Sequence, residues 1–389
     1  MSNIVKYKMN LEVLTPLHIS GADYKSRLGK KEYVFNKEEK TLTLIDNEKF
    51  VGFLIKKNLF DKYISYIENS VNAKVMIQNR NINLLNFLKA NNIDKDIKEY
   101  RKKAPIKVDM NIENMNDIKL MTRNVLGKPY IQGSSIKGAL VNFLLVDYII
   151  NNRNEFLKEK KEILSECRRA NDDRSVKNLK NEIKKIISRI EKFIIYGDNK
   201  ELEKSKKFGI SISDSYNYYD TRTNFYQDID EKRNAKTENE KNKTMPVVRE
   251  YIMVNSKFDF DITLDMDLLK ESELKIKNIN DLINSLENSV AYLINILEDK
   301  NSPRTENLIL GANTGFLQKT VVYALFEDKE ERLEVIKKLL HKSSKNAIGN
   351  HLNDKFAPRV LNRIKMGGKN QLAGLVRIKK VEEKNVGTN

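Results

Sequence analysis

The chain has 389 residues, 40% of them apolar and 32% charged, enough for buried cores beneath a large solvated surface. Two domains with insertions are expected at that length. Lys+Arg of 71 against Asp+Glu of 54 gives a formal charge of +17, which points to a polyanionic partner. The lone cysteine, Cys167, excludes a disulfide framework, and His18, His341 and His351 lack zinc-site spacing, so neither metal nor cofactor is expected.

The polar opening MSNIVKYKMN is unlike a secretory leader. The apolar run near 139–150 is broken by Asn142 and Asp147 and reads as too short to cross a bilayer. A cytoplasmic protein without a membrane partner is predicted. Tyr7, Met9, Leu11 and Val13 alternate with Lys6, Lys8, Asn10 and Glu12, a half-buried strand that ends in the polar loop TPLHISGADYKSRLGKK. KEYVFNKEEKTLTLID reads as a hairpin, with Asp46 capping a helix that runs through Ile55. Residues 58–103 read as an inserted helical piece, and PIKVDMNI returns to strand.

PYIQGSSIKGALVNFLL follows: an extended run breaks at Gly133, Ser134 and Ser135, and Ile136, Ala139, Leu140, Phe143 and Leu144 take helical spacing. Residues 151–207 are helical and charged, with Leu179, Ile183, Ile186, Ile187 and Ile190 on one stripe, which reads as a solvated helical hairpin packed on that stripe, with direct RNA contact as the alternative. FGISISDS is a strand; residues 224–248 hold almost no core residues and read as a long mobile loop or extended hairpin. Phe258, Phe260, Ile262, Leu264 and Met266 alternate with polar residues as the cleanest strand. Helices are predicted near 276–299, 318–326 and 328–341, and LAGLVRIKKV closes as a strand. The α+β pattern predicts two ferredoxin-like (RRM-like) units with helical insertions. One spans 1–215, with insertions near 58–103 and 151–207, and the other 247–389, around a polar loop or thumb-like hairpin at 216–246.

Three glycine bends can hold phosphate. In GSSIKG, Gly133 and Gly138 bracket Ser134, Ser135 and Lys137 at a helix start, where first-turn N–H groups face an anion. Ala139 follows Gly138, so this is not a Walker loop. In GANTGF, Gly311 and Gly315 bracket Asn313 and Thr314, with Lys319 one turn on, a candidate backbone nest. In APRVLNRIKMGGKNQLAGLVRI, Arg359, Arg363, Lys365 and Lys369 surround Gly367 and Gly368. Residues 341–380 hold ten basic side chains against Asp354 alone, a local charge of +9, more than half of the net charge. Such contacts supply affinity without reading sequence, and Tyr130, Phe316 or Phe356 could stack on unpaired bases. For each bend an ordinary capped helix, tight turn or solvated hairpin is the competing structural explanation.

TPLHISG, YIQGSSIKGAL, LILGANTGFLQKT and PRVLNRIKMGGKNQLAGLVRI, in that order, resemble the RAMP superfamily of CRISPR-associated proteins. The glycine turn followed by the Pro-Arg segment resembles the subunit that caps the crRNA 3′ end of the type III-A (Csm) interference complex. The helical insertions are not carried by the resemblance. It implies a non-catalytic subunit that binds single-stranded guide RNA (crRNA). Its other partners would be target RNA in the assembly, neighbouring Csm subunits, especially the backbone RAMP subunits, and recruited cellular nucleases that trim the guide. His18, Arg123 and the residues of the three bends would then contact RNA. Two enzymatic alternatives stay open. His18, with Tyr24 and Lys25 or Lys30, could be the general base of a metal-independent endoribonuclease. Asp23 could hold a divalent cation, as in the target-cleaving backbone subunit.

Overall fold

The computed structural model describes residues 3–21, 26–71, 83–108, 110, 117–170, 172–216, 221–233, 242–297, 305–312, 321–341 and 351–385. Its strands, in chain order, are β1 (Ile4–Val13), β2 (Arg27–Leu28), β3 (Tyr33–Asn36), β4 (Thr41–Leu44), β5 (Ile106–Lys107), β6 (Ile118–Lys119) and β7 (Ile210–Ile212). They continue with β8 (Thr223–Lys232), β9 (Asn242–Ile252), β10 (Lys257–Asp265), β11 (Leu308–Ile309), β12 (Val360–Met366), β13 (Lys369–Gln371) and β14 (Leu375–Asn385).

A five-stranded sheet in the order β11-β14-β1-β10-β7 organises the molecule. Every described pairing in it is antiparallel, and β1 lies between β10 and β14. With the helices Gly133–Asn151 and Ile279–Leu297, the strands β1, β7, β10 and β14 form one βαββαβ ferredoxin-like unit whose parts come from both ends of the chain. The expectation of two such units in sequence is therefore revised. Alternation identifies a strand and its buried face, and says nothing of which strand it pairs with. The boundary expected at 247 falls inside β9, and strands from both expected units share sheets.

The two helices cover one face of that sheet. Met9, Leu11, Phe258 and Phe260 point into a continuous core with Leu140, Phe143, Leu286 and Leu293. Phe143 is fully buried, so truncating it to Ala removes about 3–5 kcal/mol. The Gly133–Asn151 helix is 19 residues long and apolar enough by length and composition to cross a membrane, longer than the interrupted run implied. Half of its apolar window is buried inside the protein, where it serves as the core helix. Helix Leu157–Arg169 packs against this core through Ile163, Leu164 and Cys167, and helix Asp173–Tyr196 through Val176, Leu179, Ile183, Ile186 and Ile190.

A second, six-stranded sheet has the order β13-β12-β8-β9-β6-β2, and a three-stranded sheet β3-β4-β5 packs on it through Leu28, Leu42, Val108, Ile118, Phe225 and Val248. Of residues 224–248, read as a long mobile loop or extended hairpin, the described ones (224–233 and 242–248) belong to the β8–β9 hairpin, with Phe225, Tyr226 and Ile229 buried. The helices Asn47–Lys56, Phe60–Val71 and Leu84–Ala90 enclose a separate small core around Phe50, Leu54, Phe87 and Tyr100. Asp46 caps the first of them by accepting from the Lys49 N–H at 3.2 Å.

Candidate nucleic-acid interface

Four of the sequence motifs meet beyond the end of β1. The Leu14 and Thr15 N–H groups donate to the Leu375 carbonyl at 3.0 and 3.1 Å. The Gly374 N–H donates to Pro16 at 2.9 Å, and the Leu310 N–H to Gly374 at 2.8 Å. Leu17 and Ile252 exchange two backbone bonds, which ties the loop to the root of the β8–β9 hairpin. The Ala312 N–H donates to His18 at 2.8 Å, the Thr122 N–H to Ile19 at 2.9 Å and the Tyr130 N–H to Thr122 at 3.2 Å. TPLHIS, LILGA, QLAGL and PYIQG thus form one backbone-bonded seam. Gly311 is required there: its φ is +81°, and a Cβ would overlap the His18 carbonyl oxygen.

His18 is fully buried. Its Nδ1 lies 2.6 Å from the Glu250 carbonyl, which can only accept, so Nδ1 carries the proton. Nε2 then accepts from the Ser20 hydroxyl at 2.7 Å. Burial lowers the imidazole pKa to about 4. The hydrogen bond to Glu250 opposes that shift, and Arg249 and Lys119 add to it. Both ring nitrogens are therefore occupied in a neutral ring that pins the loop. Expected as an RNA contact or a general base, His18 has no exposed surface for either role. Glu250, also buried, is the hub beside it: its carboxylate accepts from the Met121 N–H at 3.1 Å and the Thr223 hydroxyl at 2.7 Å, and pairs with Arg123. Arg123 also donates to the Gly127 carbonyl at 2.7 Å, so its guanidinium braces the 123–129 turn.

Elsewhere the expected residues divide between packed and open. A Cβ on Gly133 would lie 2.6 Å from the Ile212 carbonyl oxygen and from Ser213, so this glycine lets the helix press onto the end of β7. The Gly133 N–H donates to the Asp214 carboxylate at 2.7 Å, and Gln132, not a serine, stands at the N-cap. A protein carboxylate already occupies the helix start where phosphate was expected. Ser134 and Gly138 are exposed, and Ser135 and Lys137 half-buried, along the same turn. Arg363, 4% exposed, pairs with Glu231 at 3.1 Å, and Arg359 pairs with Asp354 at 3.1 Å, so both expected phosphate ligands are held by protein carboxylates. Gly367 and Gly368, at φ +57° and +80°, form the two-residue turn joining β12 to β13 and are exposed with Lys365 and Lys369. Among the described residues neither lysine has an ion-pair partner. Asp23, Tyr24, Lys25, Asn313, Thr314, Gly315, Phe316 and Lys319 lie outside the described residues.

The outer face of the five-stranded sheet is not an RRM-type stacking platform. Lys6 pairs with Asp261 at 3.1 Å, Lys8 with Asp259 at 3.3 Å and Arg377 with Glu12 at 2.8 Å, and Tyr216 donates to Asp261. These charges are satisfied across strands, so they are not free to meet a polyanion. The packing partners Glu250, Asp214 and Glu231 were missed in the sequence. One signal was available: Glu250 shares the alternate buried positions of β9 with Val248 and Ile252, an inward place no carboxylate takes unpaired.

The fold and its sewn loops define a class, and the family comparison agrees: the RAMP superfamily model matches residues 10–369, and the chain belongs to that superfamily. Among curated proteins it is similar to "CRISPR system Cms protein Csm5" of Streptococcus thermophilus, with 27% identity over 276 residues, 67% of this chain and 64% of that one. It is also similar to the protein of the same name from Enterococcus italicus, with 29% identity over 154 residues, 34% of this chain and 41% of that one. The chain thus spans less than two thirds of the length of these relatives. In fold it is similar to a chain of the Csm–crRNA–target RNA ternary complex of a type III-A CRISPR-Cas system. That match has a TM-score of 0.60 and 16% identity, and covers 96% of this chain and all of the other. It is likewise similar to T. onnurineus Csm5, with a TM-score of 0.53 and 16% identity over 81% and 93% of the two chains.

Proposed function

We propose that this chain is a non-catalytic, cytoplasmic RNA-binding subunit of a type III-A effector complex. It caps the crRNA 3′ end beside the backbone RAMP subunits and is needed for guide maturation by recruited cellular nucleases. The observation that carries this reading is a contrast among the described residues: His18, the candidate base, is buried with both ring nitrogens paired, while Lys365 and Lys369 stand open beside a glycine turn. Likeness to the Csm5 proteins supports the choice of subunit. Exposed cations on a preformed hairpin hold phosphates without reading bases, which suits a subunit that accepts any guide.

The test is direct. The purified chain binds single-stranded RNA with steeply salt-dependent affinity and leaves it intact with or without a divalent cation. Cleavage of a repeat RNA that is lost in His18→Ala would overturn the non-catalytic assignment.

A further inference from the structure

On the six-stranded sheet, three cations from distant parts of the chain fall in one cross-strand row. Arg27 of β2 is in register with Lys119 of β6, Lys119 with Arg249 of β9, and Arg249 with Tyr226 of β8. Register partners point to the same side of a sheet, and neighbouring strands lie about 4.8 Å apart, so the three charges span roughly 10 Å. Like charges placed directly opposite repel. Asp228 is the one described carboxylate that meets them: it pairs with Arg249 and accepts from the Tyr251 hydroxyl at 3.2 Å. Arg27, exposed, and Lys119, half-buried, have no carboxylate partner among the described residues. The Arg249 Nε is buried without a hydrogen-bond partner among them. Burial, then Arg249 and Arg27, lower the Lys119 pKa, which places the three in each other's field. The row adjoins the seam, since Arg249 and Lys119 also act on His18.

A row of three cations that shares one carboxylate, Asp228, keeps a net positive charge on an ordered sheet, which is unfavourable in the free protein and becomes favourable when an anion sits across it. We propose that Arg27, Lys119 and Arg249 form a binding site for one phosphodiester of the bound RNA. Tyr226 continues the row on the far side of Arg249. The inference rests on the RNA-binding reading above. Unlike the hairpin lysines, the row is fixed by sheet register, so it would hold one particular linkage in place.

Arg27→Gln with Lys119→Gln tests this in the 389-residue chain, leaving the Arg249–Asp228 pair intact. Three readouts are combined: binding of a single-stranded RNA oligonucleotide across a salt series, the melting midpoint without RNA, and the midpoint with inorganic phosphate. The expected result is about tenfold weaker binding at low salt and a salt slope reduced by about 0.7, the share of one phosphate. The RNA-free melting midpoint rises, because the repulsion is gone. Unchanged RNA affinity in the double variant overturns the site and leaves the RNA-binding reading standing. Wild-type protein that binds no RNA overturns both. A phosphate-dependent rise in melting midpoint confined to wild type, with RNA binding unaltered, assigns the row to free phosphate and overturns the RNA assignment.

Discussion

At the end of β1, Gly311 faces the His18 carbonyl so closely that no side chain fits, and Arg123 beside it is tied to buried Glu250. At the β12–β13 turn, a Cβ on Gly367 or Gly368 would meet nothing within 4 Å, and the flanking Lys365 and Lys369 face solvent. Glycine next to a cation therefore means two things in one molecule. In the seam it permits backbone approach and charge pairing, and in the hairpin it permits a tight turn and leaves charge available. In this molecule a glycine-and-cation motif leaves charge available only where the cation lacks a carboxylate.

Substituting the glycines separates the two regions most sharply. Gly311→Ala combines left-handed backbone strain with overlap against a backbone oxygen, and is expected to cost about 4 kcal/mol in urea unfolding. Gly368→Ala meets open space and keeps only the strain, about 1 kcal/mol. Equal losses at the two positions would erase the contrast.

The pH dependence of stability gives the next effect. The pKa of His18 is lowered by burial from 6.5 to about 4, so between these values the unfolded chain binds a proton that the folded chain does not. Its contribution is complete above pH 6.5 and is lost as pH falls towards 4, at most about 3 kcal/mol in all. His18→Gln flattens this part of the profile of urea midpoint against pH. A smaller loss, about 2 kcal/mol, is expected from Glu250→Gln. The hub then keeps an acceptor for Met121 but loses the charge facing Arg123, whose side chain is 37% exposed and partly screened. Thermal unfolding of the purified variant measures it.

Much of this was legible in the sequence, for identifiable reasons. The alternation in β1 and β10 and the 3.6-residue spacing after Gly133 are local patterns, and they gave the strands, the core helix and the ferredoxin-like class. Pairing is not local. Nothing near Tyr7 says that its strand lies between strands from the second half of the chain, so two units in sequence were expected where one is assembled from both ends. The same limit hid the partner of Arg363 and the Arg27–Lys119–Arg249 row. Ion pairs and cross-strand rows depend on register between segments far apart in the chain, or on side-chain direction, and neither is written in a single stretch.

The smallest change in stability should accompany a clear change in binding, at the hairpin. Lys365→Ala with Lys369→Ala removes two exposed cations without described partners, so unfolding free energy should stay within about 0.5 kcal/mol of wild type. RNA affinity should fall to a similar degree for unrelated oligonucleotides, with the salt slope reduced by about 0.7 for each phosphate released. Arg363→Ala, only two residues from Lys365, supplies the opposite pattern. It removes a buried guanidinium that pairs with Glu231, so stability falls, and any loss of RNA binding follows the fraction unfolded. Isothermal binding measured well below each variant's melting midpoint separates the two. A lysine pair that melts like Arg363→Ala, or binds RNA like wild type, would move the hairpin into the same class as the seam.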